Sequence, residues 1–102
     1  MKQLTVVEHE LKTHPPYFAK VYYGEKPFEI RLNDRDFQRG DILILKEYDP
    51  ECDKVHARGE PDPCYTGRWV RAEVTYMTDF EQQNGYVVMG IKMIERNGLR
   101  TS

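Results

Sequence analysis

The sequence predicts a mainly β domain: a small, mostly antiparallel β-barrel of about five short strands, with one short helix across one end. Three observations carry this. Alternating or β-branched apolar runs recur along the chain between turn signals. Only one stretch, near residues 16–23, carries apolar residues at helical spacing. The chain has 102 residues, enough for a single domain, and short strands in that number close most readily as a barrel.

The first strand is expected over residues 4–11, where Thr5, Val6 and Val7 are β-branched. Lys12-Thr13-His14-Pro15-Pro16 breaks it. Thr13 is placed to cap a helix, and the two prolines suit its first positions. Tyr17, Phe18, Val21 and Tyr22 form an apolar stripe, and Gly24 stands where a left-handed C-terminal residue belongs. The helix is therefore expected over residues 16–23. A strand follows at 26–32, with Phe28 and Ile30 expected to face the core and Glu29 and Arg31 the other side. Asn33-Asp34-Arg35-Asp36 is a polar turn, with Phe37 a core anchor.

Gly40-Asp41 opens the run Ile42-Leu43-Ile44-Leu45, whose two apolar faces predict a strand covered on both sides. Residues 49–67 are rich in Pro, Gly and charge and read as a long loop. Residues 68–76 alternate, with Val70, Ala72, Val74 and Tyr76 on one face. The last strand is expected over 86–94, with Val87, Met89, Ile91 and Met93 together. The core thus spans about 7–94, and the tail 95–102 is expected to fray.

Composition narrows the function. The net charge of -2 argues against a broad basic surface for nonspecific nucleic-acid binding, while leaving room for a local nucleotide pocket. Hydrophobic residues make up 39%, modest but supplemented by seven Tyr, four Phe and one Trp, each with a large area to bury. No run approaches the ~20 apolar residues of a membrane span, and no apolar signal-peptide core opens the chain. A cytoplasmic protein without membrane association is expected. Its two cysteines, Cys52 and Cys64, are then expected to be reduced thiols.

The segment Gly24-Glu25-Lys26-Pro27-Phe28-Glu29-Ile30-Arg31 concentrates the candidate chemistry. Glu29 and Arg31 fall on one face of a strand, where a carboxylate and a guanidinium can hold a polar ligand by paired hydrogen bonds. The same pair can be a plain surface ion pair worth about 0–1 kcal/mol. Lys26 can bind phosphate, or act as a base if buried. Arg31 can grip phosphate, stack on a base or brace Glu29.

Beyond this segment, Arg35 and Asp36 read as a turn network, and Arg39 as a solvated cation. Arg68 and Arg71 are exposed strand cations or an extension of a phosphate track. Trp69, Tyr76 and Tyr86 are core rings or stacking platforms, with Tyr86 singled out by the glycine before it. His9 and Glu10 have no partner visible in the sequence. Cys52, His56 and Cys64 fall one ligand short of a zinc site at a spacing unlike the usual patterns, so no metal is expected.

Several motifs in order resemble one known class. Gly24-x-Lys26-x-x-Glu29-x-Arg31 is similar to the signature of the ASCH class of PUA-like β-barrels. His9-Glu10-Leu11-Lys12, Asn33-Asp34-Arg35-Asp36-Phe37, Gly40-Asp41-Ile42-Leu43, Tyr65-Thr66-Gly67-Arg68, Val74-Thr75-Tyr76 and Gly85-Tyr86-Val87-Val88-Met89-Gly90 complete the likeness to the family called domain of unknown function 3850. It runs from about Val7 to Ile94.

The resemblance implies a pocket for RNA, a nucleoside or a nucleotide, lined by the signature and open at one side of the barrel. Its ligand-binding residues would be Lys26, Glu29, Arg31, Tyr86 and Arg68, with no cofactor. Some relatives of the class hydrolyse the acetyl amide of N4-acetylcytidine with a lysine at the Lys26 position and a threonine at the Glu29 position. Lys26 matches and Glu29 departs from that pattern. If the chain is an enzyme, its catalytic residues would be Lys26 and Glu29, with Glu73, Asp79 or Glu81 as the later carboxylate. The alternatives are thus a binding module, a small amidohydrolase, and a phage or mobile-element accessory that binds a host protein through the 49–67 loop. Oligomeric state stays open.

Overall fold

The computed structural model describes residues 6–97 and 99–100. The first expected strand begins partly outside that range, at residues 4 and 5. In the structure β1 spans Glu8–Thr13, α1 Pro15–Tyr22, β2 Phe28–Leu32, β3 Ile42–Tyr48, β4 Tyr65–Thr78, β5 Tyr86–Arg96 and β6 Leu99–Arg100. The main sheet runs β1-β3-β4-β5-β2, with β6 paired to β5. Its five main strands curl strongly into a half-barrel, mainly β with one short helix.

The sheet is mixed. β1 and β3 are parallel, whereas every other described pairing is antiparallel. The stretch between them, which holds α1 and β2, supplies the long crossover that a parallel pair requires.

Helix α1 begins at Pro15, one residue earlier than expected. His14 is its N-cap and makes no side-chain capping bond. Thr13 is instead a buried inward residue of β1, because that strand keeps its alternation through residue 13. At the other end Gly24 adopts φ 78°, and its N–H donates to the Val21 carbonyl, a left-handed exit that glycine enters without Cβ strain. Phe18 and Val21 are buried against the sheet.

The core gathers Leu11, Phe37, Leu43, Leu45, Val70, Ala72, Val74, Val87, Met89 and Ile91 around them. Leu43 and Leu45 are fully covered, and Ile42 is buried on the other face, as the doubly apolar run predicted. His9 finds a distant partner: its Nε2 lies 2.8 Å from Asp41 Oδ2, and both groups are buried. Asp41 Oδ2 also accepts the Gln38 N–H, and the His9 ring meets Phe37 edge-on. These three contacts lock the turn into β3. Arg35 and Asp36 belong to the polar turn network: Arg35 donates to the Glu10 carbonyl and Asp36 accepts from Gln38.

Four other expectations change. Tyr76 is 60% exposed rather than inward, because the β4–β5 register shifts between Val74 and Tyr76 and a bulge reverses the alternation. β4 begins at Tyr65, so the loop is three residues shorter than the pattern suggested. β5 continues to Arg96 and turns back into β6, so the tail is paired at 99–100. Residues 98, 101 and 102 of that tail lie outside the described residues.

Cys52 and Cys64 form a disulfide, with Cα atoms 5.5 Å apart, where reduced thiols were expected. Backbone bonds bring the loop's ends together: the Asp49 N–H donates to the Cys64 carbonyl, and the Cys52 N–H to the Asp49 carbonyl. The Cys64 N–H also donates to Asp62, which chiefly holds that carboxyl below its ordinary value. A crosslink over a sequence separation of 12 restricts the unfolded chain by about 3 kcal/mol in the loop-entropy account. Replacing both cysteines by serine should lower unfolding free energy by about 2–3 kcal/mol in a urea titration. A thiol reductant should do the same to the native chain and nothing further to the variant.

Candidate functional site

The site forms where the curled sheet stays open, between its two edge strands β1 and β2. Among the described residues, ladder hydrogen bonds do not span this seam; guanidinium groups do. Arg31 Nη1 donates to the Lys12 carbonyl at 3.2 Å, and Arg31 Nη2 to Thr13 Oγ1 at 3.1 Å. Arg35 Nη1 donates to the Glu10 carbonyl at 2.8 Å. Two arginines of the β2 side thus donate to carbonyls on the free edge of β1 and cover that edge.

β2 faces the opposite way from its apolar pattern. Phe28, Ile30 and Leu32 are exposed at 37%, 48% and 48%, whereas Glu29 is only 3% exposed. The register explains it. Glu29 pairs with Met89 and Arg31 with Val87, both inward residues of β5, so the two charged side chains share the inner face. The period of two located both faces correctly and inverted their sense.

Glu29 is buried between two cations. Its Oε2 accepts from Arg31 Nε at 3.0 Å. Its Oε1 lies 3.6 Å from Lys26 Nζ, an ion-pair contact, and is buried with no hydrogen-bond donor among the described residues. Such a carboxylate oxygen keeps its capacity to accept a strong charge-assisted bond. Lys26 enters from the turn before β2, and its ammonium lies within cation–π range of the Tyr17 and Phe28 rings, at 5.5 and 5.3 Å.

These groups line a cavity of about 310 Å³ together with Lys12, Thr13, His14, Tyr17 and Ile30. Two cations, Lys26 and Arg31, flank one carboxylate there, although the whole chain is net negative, while the Lys12 ammonium lies over the Tyr48 ring at 4.4 Å. Thr13, His14 and Tyr17 come from the β1–α1 junction. Sequence reading assigned Thr13 to a helix cap, His14 to the break before the helix and Tyr17 to its apolar stripe. The signal that could have placed them is the extra inward position of the β1 alternation, Leu11 to Thr13.

The other expected site residues lie elsewhere. Tyr86 is opposite Leu32 on the outer face of β2–β5, beside a separate cavity with Asn33, Thr78 and Asp79. Arg68 sits over the Tyr22 ring at 4.4 Å and the Phe18 ring at 5.3 Å, with Nη1 3.7 Å from the buried Glu47. It braces α1 against the sheet. Of the later carboxylates, Glu73, Asp79 and Glu81 are exposed and none lines the cavity. The buried carboxylate closest in register is Glu47, paired with Thr13 across β1–β3. Trp69 is half-buried and Arg71 pairs with Glu8 and Glu95. The disulfide ties up both thiols of the Cys52, His56, Cys64 set.

A protein of Escherichia phage P2, described as "Uncharacterized 12.9 kDa protein in GpA 3'region", is 41% identical over 71 residues. The aligned span is 70% of this chain and 54% of that protein, about half the relative's length. A family model also matches residues 8–91, from the start of β1 to the buried Ile91 of β5, and so takes in both edges of the seam and every residue lining the cavity. The chain therefore belongs to the family described as Domain of unknown function (DUF3850).

Proposed function

We propose that the seam cavity binds a nucleotide, free or within RNA, and that the protein is a nucleic-acid-associated binding module of the ASCH, PUA-like type. The observation that carries this reading is the buried, undonated Oε1 of Glu29 inside a cation-rich cavity. An exocyclic amino group or ring N–H of a base is a donor of the right kind for that oxygen. The charge of Lys26 and Arg31, one more than Glu29 balances, suits a phosphate. Tyr17, exposed at the mouth, offers a ring for stacking. The likeness of Gly24-x-Lys26-x-x-Glu29-x-Arg31 to the ASCH signature supports the same assignment.

Glu29→Gln tests it. The amide keeps the shape, loses the charge and turns one end into a donor. Calorimetric titration of the four nucleoside monophosphates and a short single-stranded RNA should show affinity for bases carrying amino groups. The variant should lose at least ~10-fold of it, as expected for a bond to a charged group worth about 1.5–3 kcal/mol, with its circular dichroism unchanged. Equal affinity of variant and wild type, or no binding by the wild type, would reject the reading.

A second reading has one observation in its favour. The cavity holds a hydroxyl after all, that of Thr13, fixed by Arg31 Nη2. With Lys26 beside a buried carboxylate, these are the groups needed to hydrolyse an acylated cytidine to cytidine and the free acid. Release of acetate from N4-acetylcytidine, abolished by Thr13→Val, would establish it.

A further inference from the structure

We infer that the outer face of β2–β5–β4 is a self-association surface, on which two copies of this chain pack sheet to sheet about a two-fold axis. The inverted β2 is the starting point. Its outward residues are Phe28, Ile30 and Leu32, and across the ladder β5 presents Val88 opposite Ile30 and Tyr86 opposite Leu32. The bulge in β4 brings Tyr76 onto the same face. Opposite both Phe28 and Tyr76 stands Gly90, where an added Cβ would come within 3.2 Å of the Tyr76 Cβ. The glycine thus lets the tyrosine lie close across β5 and keeps the face level.

None of these positions carries a charge, in a chain of which 31% is charged. Phe28, Ile30, Leu32, Tyr76 and Tyr86 keep between 37% and 60% of their surface exposed. At 150–250 Å² for a large side chain, they present roughly 450 Å² of mostly apolar surface, within the range of the largest, often functional, patch on a monomer. Two such faces supply roughly 900 Å², over half of a standard interface of about 1,600 Å², and polar residues around the rim would supply the rest.

Area and charge together select the occupant. The apolar patch is bordered by charges of both signs, Lys26 beside the Phe28 ring and Lys92 opposite Glu73, so a two-fold contact meets no excess of one sign on its own copy. A two-fold contact sets the same patch on both sides, so an apolar sheet face is complementary to itself. Two sheets of equal twist pack in the aligned mode at about 30°. Ile30 also lines the seam cavity and Phe28 flanks Lys26, so the contact runs beside the mouth of the site.

Sedimentation equilibrium of the full chain at micromolar concentration should give twice the 12.1 kDa chain mass. Tyr76→Lys and Leu32→Lys, which place a charge on the face and do not line the seam cavity, should each give the single-chain mass with an unchanged circular dichroism spectrum. Should either variant fail to fold, hydrogen exchange of the wild type decides. Protection that falls on dilution must then map to β2, β5 and the end of β4. A monomeric wild type, a dimer that survives both substitutions, or dilution-sensitive protection elsewhere overturns the proposal. The first of these would leave the face to a different protein.

Discussion

Arg31→Ala should destabilise the fold by about 2–4 kcal/mol, below the 3–5 kcal/mol of a fully buried pair because Lys26 still faces the stranded carboxylate. Arg31 itself is 26% exposed in its side chain, so part of its charge is already solvated. The substitution removes three hydrogen bonds at once: to Glu29, to the Lys12 carbonyl and to Thr13. It therefore unties β1 from β2 as well as unbalancing Glu29. Arg31→Lys should recover little, because a single ammonium cannot reach three acceptors in different directions. The check is a thermodynamic cycle in urea. The double variant Arg31→Ala, Glu29→Gln should lose clearly less than the sum of the single losses, since the carboxylate left unpaired in one is absent from the other. Strict additivity would mean that Arg31 acts on β1 alone.

Phe18→Ala should cost about 3–5 kcal/mol, the range for truncating a fully buried aromatic ring. Phe18 is 0% exposed, contacts Tyr22 ring to ring at 5.6 Å, and underlies the Arg68 guanidinium at 5.3 Å. In a domain of this size, each kcal/mol moves the midpoint by about 4–8 °C, so the melting temperature should fall by ~12–40 °C. The effect reaches the cavity because α1 carries Tyr17 and its N-cap is His14. Nucleotide affinity should drop along with stability even though Phe18 does not line the site. Tyr17→Phe, at an exposed position, should leave the midpoint unchanged. A Phe18→Ala protein melting within a few degrees of wild type would show that the helix is held mainly by its arginine contacts.

The charged signature is legible as a unit in the sequence, and Lys26, Glu29 and Arg31 do converge. The rest of the cavity is not legible there, for a topological reason. Thr13 and Lys12 stand 18 and 19 residues from Arg31 in the chain and meet it only because β1 and β2 end up as the two lips of one seam. Tyr86 and Arg68 carry suggestive side chains, but Tyr86 points outward by register, and Arg68 packs on the Tyr22 ring beside Glu47, outside the cavity.

By itself the sequence determined the class and most of the strand and helix positions, because alternation, a proline-led apolar stripe and turn residues are local properties that local physics obeys. It also determined that one short segment would concentrate the charged groups. Tertiary structure decided which face of β2 looks inward, because a period of two defines faces without assigning them, and burial depends on what the neighbouring strand presents. It decided that His9 meets Asp41 and that Cys52 meets Cys64, pairings set by where the chain returns. It decided, finally, that the half-barrel closes through arginine side chains. Two edge strands that do not meet leave a gap which only long, multiply donating groups can cross.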